Sequence, residues 1–439
     1  SRGHLGSRLP APEAFLLGRS TKLPVAMARR INRLVAHVVS GAEPVADSSV
    51  YIVAAKRTPI GGLSGSLMDV PATELGSAAI NACLDAAGLA GDQVQECIMG
   101  NVLSAGLKQA PARQAALGAG LPKSVCCTTV NKVCASGMKA VTMGAQSIMT
   151  RQADVVVAGG MESMSNVPFY ITGQARAGRG LSYGDKKIMD GVAYDGLTDF
   201  DKGLPMGVFG ELCSREHGVG RKEQDEFAAR SYQRARAAHE RGAFAKEIVP
   251  VTPKTKSAKP VTADDEYVRG KVDMFPKLRP AFEKDGTVTA ASSSTISDGA
   301  AALLLASGTK LRSSGLKPLA RIISFADAEQ EPERFTTTPA IAIQKALERA
   351  QLNLKDIDYF EINEAFAVVV LANMKLMGLD PERVNVLGGA CSLGHPIGCS
   401  GARIVATLCT VLAEKQGRYG VAAICNGGGG ATALVLERC

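Results

Sequence analysis

Apolar runs alternate with segments of helical period at both ends of the chain, and a polar, turn-rich stretch separates them. In the first part, residues 50–55 predict a strand, 73–87 a helix capped by Thr73, and 97–103 a second strand. A strand at 125–130 leads into a helix from Cys134 to about Met149, followed by a buried strand at 155–158. The last part repeats this grammar: helices at 339–349, 364–377 and 400–414, and strands at 359–362, 421–425 and 432–436. Such alternation predicts an α/β protein with a largely buried sheet in each half.

One echo joins the two parts. Val130-Asn131 precedes Cys134-Ala-Ser136-Gly137, and Val384-Asn385 precedes Cys399-Ser400-Gly401; each leads into a helix, an apolar strand and a glycine cluster. This predicts a pseudo-twofold pair. Residues 167–280 differ, carrying one strongly charged helix near 223–241 and a lysine-rich stretch at 253–259, and are expected to form an insertion on the core.

Composition narrows the class. With 439 residues, 46% of them hydrophobic and 21% charged, the chain can bury a large core and is not a disordered protein. A formal charge of +8 raises nucleic acid, a membrane surface or an acidic ligand as partners. Residues 1–44 hold seven Lys or Arg against Glu13 and Glu43, however, and so account for five of those eight charges. Within them Ile31, Leu34, Val35 and Val38 recur at helical spacing opposite arginines, as in a mitochondrial transit peptide, so a matrix address is expected. The segment is too short and too charged to span a membrane, and the remaining excess of three argues against nucleic acid.

The eleven cysteines make no CxxC and no zinc layout, and most are expected to be reduced, buried and apolar in role. Two have activating settings. Cys134 heads a predicted helix, whose N-terminus is expected to lower its thiol pKa and make it a nucleophile. Cys425 ends an apolar strand and opens Asn426 and four glycines, where backbone N–H groups lie free. Those glycines lack the Lys-Ser/Thr of a phosphate loop and the spacing of a dinucleotide fingerprint. Of five histidines, His4 and His37 lie in the leader, and His217 and His239 lie in charged surroundings that predict solvation. His395 alone sits in a glycine-flanked apolar frame, 388–398. Two thiols, this imidazole and the Asn363-Glu364 corner suit acyl transfer through a thioester, one cysteine acting as nucleophile and the other as acid and base. Lys271, Lys277 and Arg279 near the end of the insertion are candidates to meet a phosphate-bearing ligand, with a solvated charged face the alternative for each.

These residues lie in blocks: Arg-Thr-Pro-Ile-Gly-Gly at 57–62, Val-Asn-Lys-Val-Cys-Ala-Ser-Gly-Met-Lys-Ala at 130–140, Gly-Gly-Met-Glu-Ser-Met-Ser at 159–165, Asn-Glu-Ala-Phe at 363–366, Gly-His-Pro-Ile-Gly at 394–398 and Cys-Asn-Gly-Gly-Gly-Gly at 425–430. In kind and order they resemble the thiolases from about residue 50 to 438, and most of all the short-chain mitochondrial branch. The resemblance implies two duplicated βαβαβαββ halves in a five-layered α-β-α-β-α core. One half would comprise 45–165 with 296–318 and the other 319–439, with 166–295 as an inserted loop domain for coenzyme A and a homotetramer built as a dimer of dimers.

The implied activity is reversible Claisen condensation of two acetyl-CoA to acetoacetyl-CoA plus CoA, with no covalently bound cofactor. Cys134 would carry the acetyl group and Cys425 would move the C2 proton. His395, with a water on Asn363, would hold the enolate oxygen, and the N–H groups of Cys134 and Gly427 the tetrahedral oxyanion. Tyr232, Lys271, Val272, Asp273, Lys277, Ser294, Met206 and Phe335 would meet coenzyme A or its acyl group. Tyr232, Ala290, Ala291, Ser293 and Cys391 match positions of a potassium site built mainly from carbonyls. Pro205 stands where those relatives carry a histidine near the acyl pocket, which opens the question of chain-length preference. A broad 3-ketoacyl-CoA thiolase of β-oxidation and a non-catalytic coenzyme A-binding protein are the alternatives.

Overall fold

The computed structural model of the protein describes residues 47–171, 185–254 and 258–439; the leader predicted at 1–44 lies outside them. Strands are β1 (Val50–Arg57), β2 (Glu96–Gly100), β3 (Cys126–Val130), β4 (Val155–Ser163), β5 (Ser297–Ser307), β6 (Ala320–Glu329), β7 (Tyr359–Ile362), β8 (Tyr419–Asn426) and β9 (Gly430–Arg438). The longer helices are α1 (Ala72–Ala87), α2 (Pro111–Gly118), α3 (Ser136–Met149), α4 (Met206–His217), α5 (Arg221–Glu240), α6 (Thr338–Ala350), α7 (Ala367–Met377) and α8 (Ser400–Lys415).

The strands hydrogen-bond in the order β7-β8-β9-β6-β1-β5-β4-β2-β3, with the short strand Gly61–Gly62 beside β5. β2 runs parallel to β3 and β4, and β7 parallel to β8; the other neighbours are antiparallel. β1 and β6 meet over only three residue pairs, from Val50 with Ile322 to Ile52 with Ala320, and there the ladder divides into two halves.

Side chains that alternate along each strand feed different cores. Val156, Leu303 and Leu305 of the first half, and Ala422, Ile424 and Leu434 of the second, share one core with α3 and α8. The opposite face of the first half, through Val155, Val157 and Leu304, packs on α1 and α2. The opposite face of the second, through Val421, Ala423 and Val435, packs on α6 and α7. The two echoed helices therefore form the middle of a five-layered α-β-α-β-α stack.

Several boundaries differ from the sequence expectation. The cap of α1 is Pro71, with no side-chain bond, so Thr73 lies inside the helix. The strand expected at 97–103 ends at Gly100, and the helix expected from Cys134 starts at Ser136. α7 begins at Ala367, because Asn363 to Phe366 stay outside the helix on the way to the site. β5 and β6 were not among the predicted strands.

Buried charge ties the polar middle segment to the core. Arg57 of β1, fully buried, donates to Glu247 at 2.7 Å and to both oxygens of Asp264 at 2.7 and 3.0 Å. Glu247 also accepts from Thr407 and Thr410 of α8. His239, expected in solvent, instead pairs with Asp264 at 2.8 Å and stacks on Tyr267 at 4.0 Å between ring centres.

Candidate active site

Cys134 sits on a tight turn between β3 and α3. Val133 is held there at φ 46°, a left-handed conformation that a β-branched residue adopts only when its surroundings impose it. The imposing bonds are visible: Asn131 Oδ1 accepts the Val133 N–H at 2.9 Å, and the Ser136 hydroxyl accepts from Lys132 N and donates to Val133 O. Held this way, the Cys134 sulfur faces its own backbone N–H and that of Gly427. Both donors favour a thiolate, yet burial outweighs them and pushes the thiol up to about 11. This corrects the lowered pKa expected from the helix end: the first helical residue lies two positions on, and desolvation is the larger effect.

Cys425 ends β8 almost fully buried, packed with Phe209, Phe335 and Phe366. Burial raises its thiol, and the neighbouring Cys134 raises it further, so the two sulfurs lie within each other's field. The glycine run follows at once. Gly429 at φ 95° passes so close to Gln330 that an added Cβ would lie 2.1 Å from its carbonyl oxygen.

His395 arrives from the second half. Its N–H donates to Thr295 O at 3.1 Å, its Nδ1 lies 2.6 Å from the Ser400 hydroxyl, and its buried Nε2 has no partner in the protein. Burial, helped by the positive Arg403, lowers this imidazole to about 3, so it works as a neutral ring. Asn363 follows β7 and bonds Ala423 O of β8 through its N–H, while both polar atoms of its buried side chain lack a protein partner. Two residues on, the Ala365 carbonyl accepts from Ser294 N and Oγ, next to the Thr295 that holds His395. These contacts bring Asn363 and His395 to the same corner, with hydrogen-bonding capacity the fold leaves unused.

One residue inside a quoted block had no role in the sequence reading. Glu162 of β4 is fully buried and accepts from Asn101 Nδ2 and Leu103 N on one oxygen, and from Val102 N and Gly398 N on the other. It therefore bolts the His395 loop to the half that carries Cys134, and its desolvation raises it to about 7. Glycine makes the approach possible: an added Cβ at Gly160 would lie 2.0 Å from Gly398 O. Its partners are far away in sequence, so only the Gly-Gly-Met-Glu block itself could have signalled it.

Other candidates fall in two groups. Met206 lies beside Gly427 and Val133, and Phe335 packs with Cys425, so both border the thiols. Val272, Asp273 and Lys277 lie on the short 3-10 helix Val272–Lys277 that Lys271 caps, and its Val272 packs with Phe275 against Tyr232 and Ala291. The Tyr232 hydroxyl donates to Glu266 at 2.8 Å. Cys391, its N–H on Glu364 Oε2, is close enough to Tyr232 for their charges to interact; the Ser293 hydroxyl donates to Thr289 O. Glu364 itself is buried, accepting from Ser231 and Asn385. Among the described residues no three His, Cys, Asp or Glu side chains cluster as metal ligands.

Known proteins resemble this chain over most of its length. The thiolase N-terminal domain model covers residues 50–309 and the thiolase C-terminal domain model 316–438. The cytosolic acetyl-CoA acetyltransferase of Gibberella zeae is 53% identical over 391 residues, 88% of this chain and 98% of that one. The mitochondrial acetyl-CoA acetyltransferase of Bos taurus is 51% identical over 395 residues, 89% and 92% of the two chains. The crystal structure of a thiolase of Ascaris suum in complex with coenzyme A superposes with a TM-score of 0.84 at 45% identity, covering 89% of this chain and all of that one.

Proposed function

This chain belongs to the thiolase family, and from that premise we propose how its site performs the reaction of an acetyl-CoA acetyltransferase. The enzyme condenses two acetyl-CoA molecules to acetoacetyl-CoA and coenzyme A, and cleaves acetoacetyl-CoA in reverse. The observation that supports the residue assignment is that Cys134 and Cys425 lie within each other's field while the buried side chains of Asn363, just after β7, and His395 have polar atoms without a protein partner. Cys134 attacks the acetyl carbonyl, and the N–H groups of Cys134 and Gly427 already facing its sulfur receive the oxyanion. Coenzyme A leaves with the proton of Cys425, which becomes a thiolate, and the Cys134 thiolate released at the end of the cycle is the form that attacks again. Cys425 then takes a C2 proton from the second acetyl-CoA. The enolate oxygen rests on His395 Nε2 and a water on Asn363, and the enolate carbon displaces Cys134.

The raised Cys425 pKa suits this cycle, because the thiolate left there when coenzyme A departs is basic enough to abstract a weakly acidic proton. The test is mass spectrometry after brief mixing with acetyl-CoA. Acetyl is expected on Cys134 alone, and Cys134→Ala should lose thiolysis while still binding coenzyme A; acetyl on another residue, or none, overturns the assignment.

Finer assignments belong to the same proposal. Lys271, Val272, Asp273, Lys277 and Ser294 would hold coenzyme A, with Met206 and Phe335 at its acyl end. Carbonyls of Ala290, Ala291, Ser293 and Cys391 with Tyr232 would hold an activating potassium ion, supported by the buried Glu364 carboxylate near Cys391. The unpaired outer edge of β3 supports self-association, for which a homotetramer is assigned and light scattering is the check. A mitochondrial matrix location rests on the arginine-rich leader, and fusion of residues 1–46 to a fluorescent protein tests it.

A further inference from the structure

Cys97 of β2 and Cys127 of β3 are partners in a parallel ladder. Partners in such a ladder project to the same face, here the one covered by α1 and α2. Cys97 is fully buried in that core and Cys127 packs against it half-buried. Neighbouring strands lie about 4.8 Å apart, which falls inside the Cα separation of about 4.4–6.8 Å that a disulfide spans. The two thiols lie close enough for each to shift the other's charge, and the Cys127 S–H points to Val125 O at 3.6 Å.

A cation completes the group. Arg113 of α2 donates to Val125 O at 3.0 Å and Lys123 O at 2.8 Å, which lays its guanidinium against the Cys127 thiol. The Cys97 S–H and this guanidinium both favour a Cys127 thiolate, lowering it to about 7, while Cys97 stays protonated. One member is thus a half-buried, anion-prone thiol on the strand whose outer edge was proposed above for self-association, reachable by a molecule as small as a peroxide, and the other a buried thiol beside it. Cys126 next door projects to the opposite face and cannot reach Cys97.

We propose that Cys97 and Cys127 form a redox-active dithiol, separate from the catalytic thiols, that a hydroperoxide converts reversibly to a disulfide. The Cys127 thiolate attacks a peroxide oxygen, the O–O bond breaks, and Cys127 becomes a sulfenic acid while the departing hydroxide or alkoxide takes up a proton. Cys97 sulfur then attacks Cys127 sulfur, gives up its proton, and displaces hydroxide as water. Two thiols lose two electrons and two protons, and the peroxide gains them; a dithiol reductant restores the pair. Because burial keeps Cys134 largely protonated, oxidant meets Cys127 first and spares the nucleophile seven residues downstream.

The native full-length protein is titrated with hydrogen peroxide, quenched with an alkylating agent, digested and read by mass spectrometry. A Cys97–Cys127 linked peptide is expected before any oxidation of Cys134 or Cys425, and dithiothreitol should remove it. Cys97→Ser should lose the linked peptide and leave Cys127 as a sulfenic acid captured by dimedone. Oxidation of Cys134 while Cys127 remains a free thiol overturns the proposal, as does Cys127 linked to a second chain instead of to Cys97.

Discussion

His395 shows how one hydroxyl can decide what a ring does. To present an N–H at Nε2 to an enolate oxygen, the neutral imidazole must carry its proton there, so Nδ1 must accept. Ser400 is the only group placed at Nδ1 among the described residues, at 2.6 Å, and its O–H can donate either to that nitrogen or to Pro396 O at 3.0 Å. Ser400→Ala removes the donor, and kcat is expected to fall by about 10²-fold, the scale of losing an oxyanion donor, with KM for acetyl-CoA nearly unchanged. Cys or Thr at this position should recover part of the rate, which a purely packing role would not predict.

The same ring also sets an acid limit. Its pKa is about 3 when folded, against about 6.5 in an unfolded chain. Between these values the unfolded state binds the proton and the native state does not, so stability is present at neutral pH and is lost as pH falls below about 6.5. Between pH 7.5 and pH 5 this one group costs about 2 kcal/mol, at about 1.4 kcal/mol per pKa unit. His395→Asn should be inactive yet lose correspondingly less stability over that interval, measured by urea unfolding at both pH values.

At the scale of elements, the central pair α3 and α8 fixes the site because each carries one part of it: Cys134 precedes the first and Ser400 begins the second. Their crossing is close enough that an added Cβ at Gly401 would lie 2.4 Å from the backbone nitrogen of Met138. Backbone cannot give way as a side chain can. Gly401→Ala should therefore cost at least about 1–3 kcal/mol, the range of overpacked cores, and lower kcat by moving Cys134 relative to His395.

The echoed Cys-Ala-Ser-Gly and Cys-Ser-Gly turns made the pseudo-twofold pair legible, but not that its two helices cross in close contact, which depends on the folded packing. Strands rich in Val and Ile, such as those around Val155–Val157 and Val421–Ile424, were legible as apolar runs. β5 and β6 were harder. β5 opens on Ser-Asp-Gly and runs on through three alanines, and β6 alternates Ala, Ile, Ser, Ala, Ala on its buried face, where small side chains give little hydrophobic contrast. The residues proposed for catalysis stood out in the sequence because thiols and a lone histidine beside glycines are rare. The direction of the Cys134 pKa could not, since desolvation is set by everything packed around it and not by the local helix.

At the scale of the whole molecule, the inserted segment and the core are joined by charge as much as by apolar contact. Arg57 comes from the first strand, Asp264 and Glu247 from the insertion, and Thr407 and Thr410 from the central helix, all buried or nearly so. Burial alone would push the Asp264 carboxyl up, yet the Arg57 guanidinium and His239 beside it hold it far below the usual carboxylate range. Replacing Arg57 with Met keeps volume but strands two buried acids. The expected loss is about 3–5 kcal/mol, the cost of breaking a buried pair from one side, read as a shift in urea midpoint.

If the cost lies in the uncompensated charge, Arg57→Met with Asp264→Asn should be more stable than Arg57→Met alone; if it lies only in packing, the second change should add a further loss. The insertion also carries Lys271 and Lys277, so a loosened hinge at Arg57 should raise KM for acetyl-CoA more than it lowers kcat. Equal loss in both would instead mean that the network acts on the Cys134 turn through β1.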